Sequence, residues 1–178
     1  MSEVQVLDKT FKTLITKEKI QERIKEIATQ INEEMKDKNP LFLAILNGSF
    51  IFAADLCRHL TINHEISFIK LASYEGTSST GAIKQMIGLN SDMQNRHVII
   101  LEDIIDTGLT MKYILEQLTE QSPASIQICT LLHKPANQQV PMDIKYIAFN
   151  IPNDFVVGYG LDYNQQGRNL NEIYTLKK

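Results

Sequence analysis

Several things are scarce in this chain of 178 residues. It has two cysteines, Cys57 and Cys129, in separate apolar stretches. Neither lies in a CxxC or Cys/His spacing, so disulfide staples and a zinc site have no support and both read as small buried hydrophobes. No apolar run approaches the ~18 residues that span a bilayer. The opening "MSEVQVLDKTFKTLI" lacks a basic start followed by an apolar core, so no secretory leader is expected. Positive charge is not in excess: the formal net charge is -3, and no basic stripe gives a nucleic-acid footprint. The two common phosphate loops, GxxxxGK[ST] and GxGxxG, are both missing. There is no internal repeat and no linker. A length of this order suits one domain. With 43% hydrophobic and 22% charged residues, the chain is expected to be globular, soluble, cytoplasmic and reduced.

What is present alternates between two periods. Ile20, Ile24, Ile27, Ile31 and Met35 recur at helical spacing among Lys, Glu and Gln, which predicts an amphipathic helix capped at Thr16 and ended before Asn39-Pro40. "LFLAIL" (Leu41 to Leu46), "HEISFIKLASY" (His64 to Tyr74), "HVIIL" and "ASIQICTLLHK" read as strands, the continuous apolar runs fitting strands buried on both faces. "IFAADLCRHL" and "MKYILEQLTEQ" read as helices. "EGTSSTGA" has no apolar anchor and reads as a mobile loop, with "IKQMIGL" a short strand returning from it. "IKYIAF", "FVVGYG" and "EIYTL" are shorter strands near the end. Strand and helix alternating through the middle predict βαβ units and a largely parallel sheet. Ligands of such sheets bind at the carboxyl ends of the strands. Asn47-Gly48, Glu102 to Thr110 and His133-Lys134 should therefore meet along one edge.

The stretch "VIILEDIIDTGLTM" concentrates the chemistry. The strand is expected to leave the sheet at about Glu102, with the helix starting near Thr110. Gly108 permits a backbone conformation that a side chain resists. A turn of this kind at a helix N-terminus holds an anion, typically a phosphate. Glu102, Asp103 and Asp106 beside it repel one another, and a divalent cation or sugar hydroxyls between phosphate and carboxylates would relieve that repulsion. A ribose phosphate carrying a pyrophosphate satisfies these demands together. His59, His64, His97 and His133 share no spacing and read as structural or exposed.

An apolar run, two acids, two apolar residues and Asp-Thr-Gly-x-Thr resemble the phosphoribosyl-diphosphate motif of the type I phosphoribosyltransferases, and "EDIIDTG" is closest to the hypoxanthine-guanine branch. "ILNGSF" resembles that branch's pyrophosphate loop, "LASYEGTSSTG" its flexible catalytic loop, and "LLHKP" with "DFVVGYGLDYNQQGRNL" its purine-binding hood. The likeness runs from about residue 10 to 175 with the motifs in order. It implies an α/β fold with a mainly parallel sheet flanked by helices, a core of about 16–150, and a small hood from the N-terminal segment and about 151–178.

The resemblance also implies a reaction, transfer of phosphoribose from its 1-diphosphate to a purine with Mg²⁺ present, and a set of roles. Asp106, Thr107, Gly108, Leu109 and Thr110 would grip the 5′-phosphate. Glu102 and Asp103 would face the ribose hydroxyls, directly or through Mg²⁺. Asp106 would be the general base near N7, and Ser73 and Tyr74 would belong to the catalytic lid. Leu46, Asn47, Gly48 and Ser49 would offer backbone amides to pyrophosphate, with Arg168 near it and Asp162 by a second metal position and the purine. Lys134 would meet the 6-oxo group, Phe155 would stack on the ring, and the backbone of Val156 would read the base edge. Asn47 stands where many relatives carry lysine, the Leu46-Asn47 peptide is often cis in the family, and "LHKPANQQVP" departs from the pattern. Expected partners are the purine and the diphosphate, with no nucleic acid or membrane, in a homodimer or homotetramer. Two alternatives share the motif: a xanthine-preferring enzyme, and a nucleic-acid-binding regulator that senses phosphoribosyl diphosphate.

Overall fold

The computed structural model describes residues 2–74, 83–88 and 92–177, with backbone alone at 72–74 and 83–87. The "EGTSSTGA" loop lies outside the described residues. The isoleucine stripe forms α1 (Lys17–Glu34), which buries Ile20, Ile24, Ile27 and Ile31. Thr16 occupies the N-cap position, but its hydroxyl makes no capping bond. The apolar runs become β3 (Leu41–Leu46), β4 (Glu65–Tyr74), β6 (His97–Ile105), β7 (Ser125–His133) and β8 (Tyr146–Asn150). Helices α2 (Phe50–Arg58) and α3 (Leu109–Thr119) join them, and β5 (Ile83–Ile87) returns antiparallel along β4.

The sheet order is β5-β4-β3-β6-β7-β8, with β4, β3, β6, β7 and β8 parallel. Successive side chains on a strand point to opposite faces, and here both faces are covered. Phe42, Ala44, Ile99 and Leu101 pack with Ile20, Ile24, Phe52 and Leu56 of α1 and α2. Leu41, Leu43, Ile45, Val98 and Ile100 pack with Met111, Ile114 and Leu118 of α3. That double burial explains why these strands read as unbroken apolar runs.

Two sequence expectations are corrected, and one element is added. The strand "VIIL" does not leave the sheet at Glu102 but continues to Ile105, because Glu102, Ile104 and Ile105 remain in register with Thr130, Leu132 and His133 of β7. The backbone ladder thus carries the acids outward instead of releasing them into a loop. The N-terminal stretch, expected only to contribute to the hood, forms a hairpin of β1 (Glu3–Val6) and β2 (Lys9–Ile15). "FVVGYG" yields only a two-residue strand, β9 (Val156–Val157), since Gly158, Tyr159 and Gly160 all have positive φ.

With β10 (Ile173–Leu176), these strands make a second sheet in the order β1-β2-β10-β9. Phe11, Val157 and Tyr174 form its small core. It is held to the main sheet through Tyr159, whose hydroxyl donates to Asp55 Oδ2 at 2.5 Å. Gln21 donates to the same oxygen at 2.7 Å. Beside them, Gly160 lies flat against the β3–α2 loop: a Cβ there, at φ +102, would sit 2.0 Å from the Gly48 carbonyl oxygen.

Gly160→Ala should therefore combine left-handed strain with a backbone clash. The expected loss is about 2–4 kcal/mol, seen as a lower urea midpoint. An unchanged midpoint would show that the two sheets are not seated against each other in this way.

Candidate active site

Parallel pairing places the ends of β3, β6 and β7 side by side, so the three suspect segments do converge. Beyond Ile105, the chain turns through Asp106, Thr107 and Gly108 into α3. Gly108 holds φ +83 at the N-cap, and a Cβ there would lie 2.5 Å from Met142 Cε. Glycine is thus required both by conformation and by space. A cavity of ≈ 180 Å³ opens at this turn, lined by Glu102, Ile105, Asp106, Thr107, Gly108 and Thr110 among others. Leu109 is exposed beside it. The Thr107 hydroxyl accepts from the Leu109 amide at 3.4 Å, which tightens the turn. The segment after β7 straps this loop from outside, with the Gln139 amide donating to Thr107 O at 2.9 Å.

Strand alternation divides the adjacent acids. Glu102 follows Val98 and Ile100 toward the α3 face and lines this cavity. Asp103 points to the α2 side, where its carboxylate lies so close to Gly48 that a Cβ there would fall 1.4 Å from Oδ2. Asp103 Oδ1 accepts from the Ile104 amide at 2.7 Å. Burial, aided by repulsion from Asp103, holds Glu102 well above the usual carboxylate range. Asp103 is likewise raised by burial, opposed first by a hydrogen bond with the Glu102 carboxyl and then by the Ile104 amide and the nearby Arg168 guanidinium.

Asp106 has two partners. Lys134, itself buried, places Nζ 3.3 Å from Asp106 Oδ2, and Asn137 Nδ2 donates to Oδ1. Asn137 closes a 3-10 turn, Pro135–Asn137, that follows Lys134. Its only sequence signal is the proline that starts the turn. His133 is buried and structural: its ring nitrogens lie 3.0 Å from Asn150 Oδ1 and 2.7 Å from Gln138 Oε1.

The β3–α2 loop carries a cis Leu46-Asn47 peptide. Asn47 is exposed, while Gly48 and Ser49 are buried. Ser49 is turned inward, its amide 3.4 Å and its hydroxyl 2.5 Å from Ile45 O, so it does not present its amide outward as the sequence suggested.

On the other side, Phe155 is 47% exposed, with its ring 5.9 Å from Tyr163 and 6.2 Å from Phe11. Val156 follows on the edge strand β9. Asp162 is not gathered with Glu102 and Asp103: its Oδ1 pairs with Arg168 at 2.7 Å and its Oδ2 accepts from the Gln165 amide at 2.7 Å. Arg168 also donates to Gly160 O at 2.8 Å. Among the described residues no three metal-ligating side chains form one cluster. Ser73 and Tyr74 end β4, and their side chains lie outside the described residues.

A family model for the phosphoribosyl transferase domain matches residues 12–164. The chain belongs to the phosphoribosyltransferase family. Within that family it is 41% identical to the hypoxanthine-guanine phosphoribosyltransferase of Mycobacterium avium, over 92% of this chain and 84% of that one. It is 39% identical to the hypoxanthine-guanine-xanthine phosphoribosyltransferase of Tritrichomonas foetus, over 100% and 98%. A crystal structure of hypoxanthine phosphoribosyltransferase from Staphylococcus aureus superposes with a TM-score of 0.86 at 41% identity, covering 93% of this chain and 91% of that one.

The buried acids of this phosphoribosyltransferase predict a pH effect. A carboxyl raised above its unfolded value is favoured protonated, so the ligand-free protein loses stability as pH climbs from the ordinary carboxylate range through the raised values. Asp103→Asn removes one charge and keeps an acceptor for the Ile104 amide. Its melting midpoint should exceed wild type by roughly 2–4 °C at about pH 8, the gain shrinking toward about pH 4. A gain that is the same at both ends would contradict the assignment.

Proposed function

We propose that this phosphoribosyltransferase moves the 5-phosphoribosyl group from its 1-diphosphate to hypoxanthine, and also to guanine, forming the nucleotide and pyrophosphate in purine salvage. One observation carries the reading: a carboxylate, Asp106, which lines the cavity, and a buried ammonium, Lys134, lie 3.3 Å apart. The 6-oxo group and N7 are neighbours on one purine edge. An ammonium suits the oxo group and disfavours a 6-amino group, which has no lone pair to offer, and a carboxylate beside it accepts the N7 proton. In the proposed step, N9 bonds to C1′ as the C1′–oxygen bond breaks. The electron pair leaves with pyrophosphate, and the N7 proton passes to Asp106.

The 5′-phosphate would sit on the Asp106–Thr110 turn at the start of α3, where backbone amides and the helix dipole favour an anion. Glu102 and Asp103 face the region where positive charge develops on the ribose, and fixed negative charge there lowers the barrier. Phe155 offers an exposed ring face for stacking, and Val156 an edge strand for the base. The β1-β2-β10-β9 sheet serves as the hood, and the whole chain as a single domain. Arg168, held by Asp162 and Gly160 O, stands on the pyrophosphate side.

The donor set suits Mg²⁺. It is all oxygen, burial raises both Glu102 and Asp103 so that a bound cation would relieve the cost of their charge, and this ion takes one or two carboxylates plus water and substrate oxygens. Glu102 and Asp103 would hold it, with Asp162 near a second position. When bound, it neutralises charge on the leaving pyrophosphate.

The net charge of -3 speaks against the regulator alternative, as does a Lys134–Asp106 pair that a pure sensor does not need. Two unpaired cysteines fit a cytoplasmic location, and no described helix is long and apolar enough to cross a membrane. Exposed Ile66 and Phe68 on β4 supply apolar surface for the dimer or tetramer included in the reading.

The direct test is pyrophosphate release with hypoxanthine, guanine and xanthine, with and without Mg²⁺. Release with the first two and none after chelation is expected. A rate with xanthine far above the others would sink the substrate assignment. Asp106→Asn should lower kcat by about 10²-fold or more, with little change in KM for phosphoribosyl diphosphate. Near-normal turnover would remove Asp106 as the base.

A further inference from the structure

Lys134 is asked to do two things. Without substrate it pairs with Asp106 Oδ2 at 3.3 Å, and in the reaction above it faces the 6-oxo group. An ammonium recruited to the purine loosens its hold on the carboxylate. A carboxylate with a single flexible partner then rotates, and a misplaced base costs rate. Something else must hold Asp106 while Lys134 turns to the substrate.

Asn137 is placed to do so. Its Nδ2 donates to Asp106 Oδ1, while the Lys134 ammonium donates to Oδ2. It is also presented rigidly. Pro135 opens its turn, and the Asn137 amide donates to Lys134 O at 3.0 Å. On the far side, Gln138 is held between His133 Nε2 at 2.7 Å and Val140 O at 2.8 Å. The next residue, Gln139, donates through its amide to Thr107 O at 2.9 Å. Asn137 itself is half-buried, so its amide is restrained without being sealed from the site.

We propose that Asn137 is a positioning residue for Asp106: it holds Oδ1 throughout, so that Oδ2, given up by Lys134, is the oxygen that takes the purine proton. This rests on the phosphoribosyl-transfer reading, and it goes beyond it by dividing the two carboxylate oxygens between distinct tasks. The lysine and the proton acceptor then lie as neighbours, matching the neighbouring 6-oxo and N7 positions. The asparagine stays out of substrate contact and acts through the base.

The test measures kcat, and KM for each substrate, by pyrophosphate release with hypoxanthine. Asn137→Ala should lower kcat about tenfold and leave KM for phosphoribosyl diphosphate within about twofold. Asn137→Asp, of the same size but with an acceptor facing the carboxylate, should fall further than Ala. Asn137→His, which keeps a ring N–H on the same branch, should recover much of the loss. In an Asp106→Ala background, Asn137→Ala should change nothing more, because its partner is gone. Wild-type kcat in Asn137→Ala, or full multiplicative losses in the double variant, would overturn the proposal. If Ala is too unstable to assay, the order of Asp below His decides in its place, and equal rates for those two would overturn it. A wild-type protein that releases no pyrophosphate points instead to failure of the transfer reading itself.

Discussion

Strand β6 runs between β3 and β7 with helices over both faces, and the site depends on that confinement. A strand buried on all sides cannot slip, since one residue of slippage would turn each apolar side chain to the wrong face. Val98 to Leu101 therefore fix where Glu102 and Asp103 emerge. The same alternation that buries the run sends one acid toward the cavity at the start of α3 and the other toward Gly48. Two carboxyls raised by shared burial are an unfavourable feature of the ligand-free fold. A fold tolerates such features where they serve a ligand, because binding reverses the cost.

Two straps convert this strand end into a site. The segment after β7 reaches over the Asp106–Gly108 turn and bonds to Thr107, with Met142 packed where a Gly108 side chain would be. From the other side, the second sheet seats Gly160 on Gly48 and anchors Tyr159 on Asp55. Neither strap belongs to the parallel sheet, yet between them they set the positions of the loops that would meet the 5′-phosphate and the pyrophosphate. Arg168, bonded to Gly160 O and Asp162, ties the second strap to its own loop. Polar contacts of this kind are weak singly, but a loop with several of them has few other conformations.

Lys134 and Asp106 show how one pair can serve a resting state and a working state. Apart, each would be a charge lacking a partner at the mouth of a cavity. Together they form an ion pair at 3.3 Å, which the proposed substrate, with an acceptor beside an acidic N–H, would open. In the proposed reaction the ion pair would be exchanged for two contacts with the purine, so that recognition of an oxopurine would replace partners and not add them.

Periodicity and composition determined a good deal without any structure: the α/β class, the parallel sheet, each main helix, and the convergence of three loops at one edge. Those features follow from local pattern, which a single chain displays directly. The motif from Val98 to Met111 pointed to the tight turn at the start of α3 for the same reason, since its glycine and threonines act on their immediate neighbours. The N-terminal hairpin was not legible, because β2 is stabilised by β10 from the far end of the chain. Nor was the extent of β6, whose acids look like a loop until β7 pairs with them. Asn137 carried almost no signal in a stretch without period, and only the fold sets it against Asp106. Tertiary structure decided which carboxylate oxygen meets which donor, because that depends on residues distant in sequence brought together by pairing and burial.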